Sequence, residues 1–231
     1  LLALGNGACT TQRSIDAAFD DVYTRYRLPG LALGVVRNGE VIYTRTAGEG
    51  VGSRTLFKIA SNSKAMTTGV LARLVDAGKL QWDDPVTRYL PQFRMYDPWV
   101  TNQMQVRDLL LHSTGLSEGA GDLMFWPEPN LFTRADVIAG LAHLKPTHSF
   151  RSQYDYDNTM YVVAGEVAGA AAGTSYEELV RGELFEPLQM SGCKVESMYA
   201  AAGGIRWGLD DKMKWVRMCL DPVSTRDTPA D

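Results

Sequence analysis

The stretch Thr55-Leu56-Phe57-Lys58-Ile59-Ala60-Ser61-Asn62-Ser63-Lys64-Ala65-Met66-Thr67 runs into a segment whose apolar residues Ala65, Met66, Val70, Leu71, Leu74 and Val75 recur at helical spacing. That periodicity predicts a helix over 61–77, with Gly78 placed to stop it. A single helix with one apolar stripe needs a partner surface, and the flanking sequence offers two kinds. Upstream, Leu31–Val36 and Val41–Thr46 are apolar strand segments joined through Asn38-Gly39, a pair suited to the left-handed backbone of a tight hairpin turn. Before them, Ile15, Phe19, Val22, Tyr23 and Tyr26 give 14–27 an apolar helical face expected to lie on the hairpin. Downstream the chain reads as helical: a short element around 106–111, one capped by Thr133, then 159–171 and 175–185, with a last helix over 209–220. No further strand is evident after the helical section, and the end, 221–231, reads as polar coil.

Composition narrows the functional classes. The 231 residues carry 45% hydrophobic side chains and a formal charge of −4, enough for a substantial core and without the basic excess that holds nucleic acid. Cys9, Cys193 and Cys219 are widely spaced, and His112, His143 and His148 show no metal-ligand pattern, so no disulfide framework, metal centre or cofactor is expected. No apolar run is long enough to cross a bilayer, so no transmembrane segment is expected. Oligomeric state is not legible in the sequence.

Two polar clusters could carry chemistry. Ser61 and Lys64 stand at positions i and i+3, on one helix face, so the lysine can approach the serine hydroxyl. A serine is a weak nucleophile until a neighbouring base takes its proton. Taken alone, the motif is weak, since it arises often by chance and a capping serine followed by a surface lysine is the plainer reading; Ser63 competes as a nucleophile without a base at the equivalent offset. Tyr154-Asp155-Tyr156-Asp157-Asn158 lies at a helix entrance, where Tyr156 could relay a proton and Asn158 orient an amide or a lysine. Aromatic packing beside a helix cap is the plainer reading of that pentapeptide. His112 reads as a hydrogen-bonding core residue rather than a base.

Together the motifs resemble the superfamily of serine hydrolases that contains class C beta-lactamases, penicillin-binding DD-peptidases and related esterases. The resemblance rests on Ser61–Lys64 within Thr55–Thr67, on Tyr156-Asp157-Asn158, on Asp83-Asp84-Pro85-Val86 and on Leu109–Leu116, and it extends from about Leu28 to Leu220. It implies a mixed α/β, beta-lactamase/transpeptidase-like fold: an antiparallel sheet flanked by helices, plus an all-helical domain. On that pattern 1–84 and 201–231 form the mixed domain and 85–200 the mainly helical one. The resemblance makes Ser61 the acylated nucleophile, Lys64 and Tyr156 the proton-transfer pair, and Asn158 the residue that positions Lys64 and the acyl side of the substrate. Leu116–Phe132 could line an acyl pocket, with Trp126 a candidate substrate contact, although core or lid packing is the plainer reading of that stretch.

Some of the family pattern is missing. The sheet-completing strands and the third motif expected after Leu220 are not found, leaving the sheet incomplete and the second oxyanion donor unassigned; Gly50–Ser53 and Cys193–Met198 look shortened. These features are expected of a chain assembled from segments or of a fragment. The implied function is acyl-enzyme hydrolysis of a beta-lactam, ester or amide carbonyl of a small-molecule or peptide substrate, beta-lactamase or esterase activity being favoured. The alternatives are a D-stereospecific or cell-wall peptidase and an inactive ligand-binding relative. The resemblance and the leucine-rich start, Leu1–Cys9, point to the periplasm or cell envelope, with the cytoplasm left open.

Overall fold

A computed structural model describes residues 5–127 and 131–220, with side chains from residue 12 onward. The start of the leucine-rich segment and the expected coil over 221–231 lie outside the described residues. The described residues form two compact units: those within 1–57, 188–193 and 207–231 make the smaller, and those within 58–187 and 194–206 the larger.

The smaller unit is built on the expected hairpin. Leu31–Arg37 pairs antiparallel with Glu40–Ala47, and Asn38 and Gly39 both take positive φ (52° and 78°), as a two-residue primed turn requires. The helix Gly5–Arg25 is longer than the 14–27 reading at its start. It meets the hairpin through polar as well as apolar contacts. Tyr43 donates its hydroxyl to Asp16, Arg45 pairs with Asp16 and Asp20, and the Arg45 guanidinium lies 4.4 Å from the centre of the buried Phe19 ring. The helix Leu209–Leu220 covers the same hairpin, so closely that a Cβ on Gly34 would collide with Met213 Sδ.

The larger unit centres on two helices. Ser63–Asp76 packs through Met66, Val70, Leu71 and Leu74 against Thr159–Ala172, whose Met160, Val163, Ala164 and Val167 are fully buried. Gly78 at φ 68° ends the first helix, its N–H bonded to Val75 O and that of Lys79 to Leu74 O. Reciprocal capping boxes start Arg134–Gly140 (Thr133 with Asp136) and Tyr176–Val180 (Ser175 with Glu178). The expected 175–185 helix changes to a π-helical turn over Arg181–Phe185, and the short element near 106 is a 3-10 helix, Val106–Leu110.

One expectation fails here. Strands do follow the helical section: Ile205–Trp207 lies between Phe57–Lys58 and Lys194–Val195 in a three-stranded sheet. Within the larger unit, Lys194 pairs with Arg206 and Val195 with Ile205, and Ile59 N–H donates to Ile205 O. Strands of two or three residues are too short to show alternation, which is why the sequence hides them. The two units also divide elsewhere than at 84/85 and 200/201. The helix Ser63–Asp76 buries its apolar stripe on Thr159–Ala172 and therefore groups with the helical residues.

Candidate active site

Ser61 sits in a single 3-10 turn, Ala60–Asn62, that leads directly into the helix Ser63–Asp76. Ala60 has φ 47°, a left-handed conformation that a residue with a Cβ rarely adopts, and it sets the angle at which Ser61 leaves the sheet strand. The rival Ser63 is fully buried, and its Oγ accepts the Ile205 N–H at 3.2 Å, so its hydroxyl serves the sheet.

Lys64 is one turn further on and only 6% exposed. Its Nζ donates to Asn158 Oδ1 (2.7 Å), Ala202 O (2.8 Å) and Ser61 Oγ (3.2 Å), a full set of partners for an ammonium group. The rings of Tyr156 and Tyr161 flank it at 4.8 and 5.3 Å. Tyr156 comes from the segment before the helix Thr159–Ala172 and donates its hydroxyl to Ser61 Oγ at 2.6 Å. Ser61, Lys64, Tyr156 and Asn158, separated by up to 97 positions in sequence, thus converge on one serine oxygen and one lysine nitrogen.

His112 supports the tyrosine from behind. It stacks on Tyr156 with ring centres 4.5 Å apart and accepts the Asp157 N–H on Nδ1 at 3.0 Å. Burial, reinforced by the nearby Lys64 charge, lowers its pKa from the ordinary histidine value, which favours the neutral acceptor ring seen here. Asp157 is completely buried. Its Oδ1 accepts from Thr159 N and Oγ1, Oδ2 has no partner, and burial pushes its pKa up to about 6.

Beside Ser61 is a cavity of about 160 Å³ bounded by Phe125, Trp126, Asn158, Tyr199 and Ala202. Trp126 is 45% exposed and packs on Tyr199 with ring centres 4.8 Å apart. A larger cavity, about 670 Å³, lies around Tyr96, Trp99, His148 and Phe150 and shares no lining residue with the first. Volume is the weaker guide, because the smaller cavity is lined by Ser61, whose Oγ is hydrogen-bonded by both Lys64 and Tyr156.

Two participants were invisible in sequence. Ala202 contributes a backbone carbonyl, which has no sequence signature. Asp122 accepts from Asn158 Nδ2 with both carboxylate oxygens at 3.1 Å, and it opens a short 3-10 turn, Asp122–Met124, that no motif marks. Among the described residues, no cluster of three His, Cys, Asp or Glu side chains could hold a metal ion. No helix among them is long and apolar enough to cross a membrane.

The chain belongs to the Beta-lactamase family, whose model matches residues 15–231. It is 28% identical over 195 residues to Unguisins hydrolase ungD' of Aspergillus campestris, covering 78% of this chain and 36% of that protein. It is 36% identical over 132 residues to Esterase EstB of Burkholderia gladioli, covering 50% and 33%. The chain therefore spans about a third of the length of these relatives. In structure it resembles the octameric penicillin-binding protein homologue from Pyrococcus abyssi, with a TM-score of 0.78, 21% identity, and coverage of 92% of this chain and 57% of that one. This likeness supports the mixed beta-lactamase/penicillin-binding-protein fold.

Proposed function

We propose that this protein is a serine acyl hydrolase that works through an acyl-enzyme on Ser61. One observation carries the reading: Tyr156 Oη and Lys64 Nζ both lie within hydrogen-bond distance of the same serine oxygen. A capping serine with a surface lysine would need neither the burial of that lysine nor the tyrosine.

In the proposed sequence, Ser61 Oγ attacks the substrate carbonyl carbon while its proton passes to Lys64 in its unprotonated form, or alternatively to Tyr156 once its own phenolic proton has left, as it must to become the acceptor. The carbonyl becomes a tetrahedral oxyanion. Its collapse breaks the bond to the leaving nitrogen or oxygen, which takes a proton from the Lys64–Tyr156 pair, and an ester on Ser61 remains. Water then attacks that ester, giving its proton to the same pair; the carbon–Oγ bond breaks and Ser61 regains a proton. Asn158 holds Lys64, and Trp126 with Tyr199 forms the wall that an acyl group would contact.

Ester and beta-lactam carbonyls are the preferred substrates in this reading, since relatives carry hydrolase and esterase names and the cavity beside Ser61 is small. A periplasmic or cell-envelope location belongs to the same proposal. The test is steady-state hydrolysis of a chromogenic cephalosporin, of p-nitrophenyl esters and of a D-alanyl-D-alanine peptide by wild type and Ser61→Ala. Turnover of either of the first two that vanishes in the variant supports the proposal; turnover of the peptide alone moves the assignment to a peptidase. Folded protein that hydrolyses none of them and binds them reversibly overturns it in favour of a binding role.

A further inference from the structure

Asn158 can present either end of its amide to Lys64, and the two choices have opposite consequences. To take the proton of Ser61, Lys64 needs its lone pair free and aimed at Oγ. With Asn158 Oδ1 and Ala202 O each accepting one Nζ hydrogen, the third position on nitrogen faces Ser61. A positively charged Lys64 enforces this arrangement unaided, because an ammonium only donates. A neutral amine does not, for it can also accept. If the amide turned over, Asn158 Nδ2 would donate into the lone pair and block the serine's proton.

The groups around Asn158 settle which way it faces. Asp122 receives Nδ2 on both carboxylate oxygens, at 3.1 Å each, and an ionised carboxylate cannot donate. The amide nitrogen is therefore held away from Lys64 in both charge states of the lysine. The 3-10 turn that begins at Asp122 is itself fixed to the Tyr156 segment. Gly119 N–H donates to Tyr156 O at 2.9 Å, Asp122 N–H to Gly119 O at 3.0 Å, and Gly121 at φ 84° approaches Thr159 so closely that a Cβ would fall 2.6 Å from its Cγ2. Phe125 N–H and Trp126 N–H both donate to Asp122 O, so the same residue also ties the cavity wall to the site.

We propose that Asp122 is a positioning residue that, acting through Asn158, keeps the Lys64 lone pair available to Ser61. The inference rests on the proposed acyl hydrolase function. Asp122→Asn replaces the accept-only carboxylate with an isosteric amide that can donate or accept, so the pair of amides can turn together. The expected result is a fall in the rate of Ser61 acylation by a chromogenic ester of at least ~10-fold, with KM changed less than about twofold. Because Asp122 acts through Asn158, adding Asp122→Asn to Asn158→Ala should cost less than about a further twofold. An independent readout needs no turnover: in 15N NMR, the Asn158 side-chain amide protons should exchange with water at least ~10-fold faster in Asp122→Asn than in wild type.

Wild-type acylation rates in folded Asp122→Asn, or losses that multiply fully in the double variant, would overturn the proposal. If Asp122→Asn does not fold, Asp122→Ser is read in the same way, and failure of both to fold assigns Asp122 a purely structural role. Absence of acylation in wild type would overturn the functional reading instead, and the amide-exchange difference would then still decide the role of Asp122.

Discussion

Tyr156 donates its hydroxyl to Ser61 Oγ at 2.6 Å, across 95 positions of sequence. The contact depends on two local devices. The left-handed Ala60 turns Ser61 out of the strand, and His112, held by the Asp157 N–H, backs the tyrosine ring. With Lys64 at 3.2 Å, the serine oxygen has two hydrogen-bond donors and Lys64 has two further anchors in Asn158 and Ala202.

Removing either partner should slow chemistry more than binding. Lys64→Met and Tyr156→Phe are each expected to lower kcat by about 10²–10⁴ with little change in KM, the usual range for loss of a general acid or base. Lys64→Arg should be equally impaired, since a guanidinium stays charged and cannot accept the proton. Steady-state kinetics with an ester substrate checks all three; near-normal turnover in Lys64→Arg would exclude a neutral lysine base.

Trp126 should behave differently. In the proposed mechanism its ring, 45% exposed on the wall of the cavity, contacts the acyl group and takes no part in proton transfer. Trp126→Ala is expected to raise KM several-fold, on the order of one kcal/mol or more of lost apolar contact, and to leave kcat within about threefold. A collapse of kcat at unchanged KM would remove Trp126 from the substrate-binding role.

The turn before the Tyr156 segment relies on a buried carboxylate. Asp108 is 1% exposed and receives Arg151 Nε at 2.8 Å and Nη2 at 2.6 Å, while it caps the Gln105 N–H. Arg151→Ala leaves that charge buried without its cation and should cost about 2–3 kcal/mol in a urea unfolding curve. A loss below about 0.5 kcal/mol would mean that the pair acts as an ordinary surface ion pair.

Asp157 gives stability an unusual pH dependence. Its folded pKa, about 6, lies above the ordinary carboxylate value, so the folded state binds the extra proton. The contribution is fully present below pH ~3.8 and is lost as pH rises through about 6, by an amount on the order of 2–3 kcal/mol. His112 acts in the opposite direction, because a lowered folded pKa makes stability fall as pH drops below the ordinary histidine value. The difference in unfolding free energy between wild type and Asp157→Asn isolates the first effect. It should shift against wild type between pH 4 and about 6, then level off; a flat difference would place Asp157 ionised throughout.

Much of this site was legible because its signals are local. Asn38-Gly39 specifies its turn, Thr133 and Ser175 announce their helices, and Ser61-Asn62-Ser63-Lys64 and Tyr156-Asp157-Asn158 are contiguous strings whose offsets determine which side chains share a face. The rest depends on tertiary placement. Ile205–Trp207 is a strand only because Lys194–Val195 and Phe57–Lys58 pair with it, and the Ala202 carbonyl could belong to any residue. Asp122 lies 36 positions from Asn158 at the start of a 3-10 turn whose approach is set by Gly119 and Gly121, so no spacing rule connects them.

The central claim is that Ser61 is the acylated nucleophile, and intact-mass spectrometry of the purified protein after a fluorophosphonate probe tests it directly, with peptide mapping and a Ser61→Ala control. The account expects one adduct, mapped to Ser61 and absent from the folded variant. Folded wild type that takes no adduct, or an adduct that persists in Ser61→Ala, would contradict it.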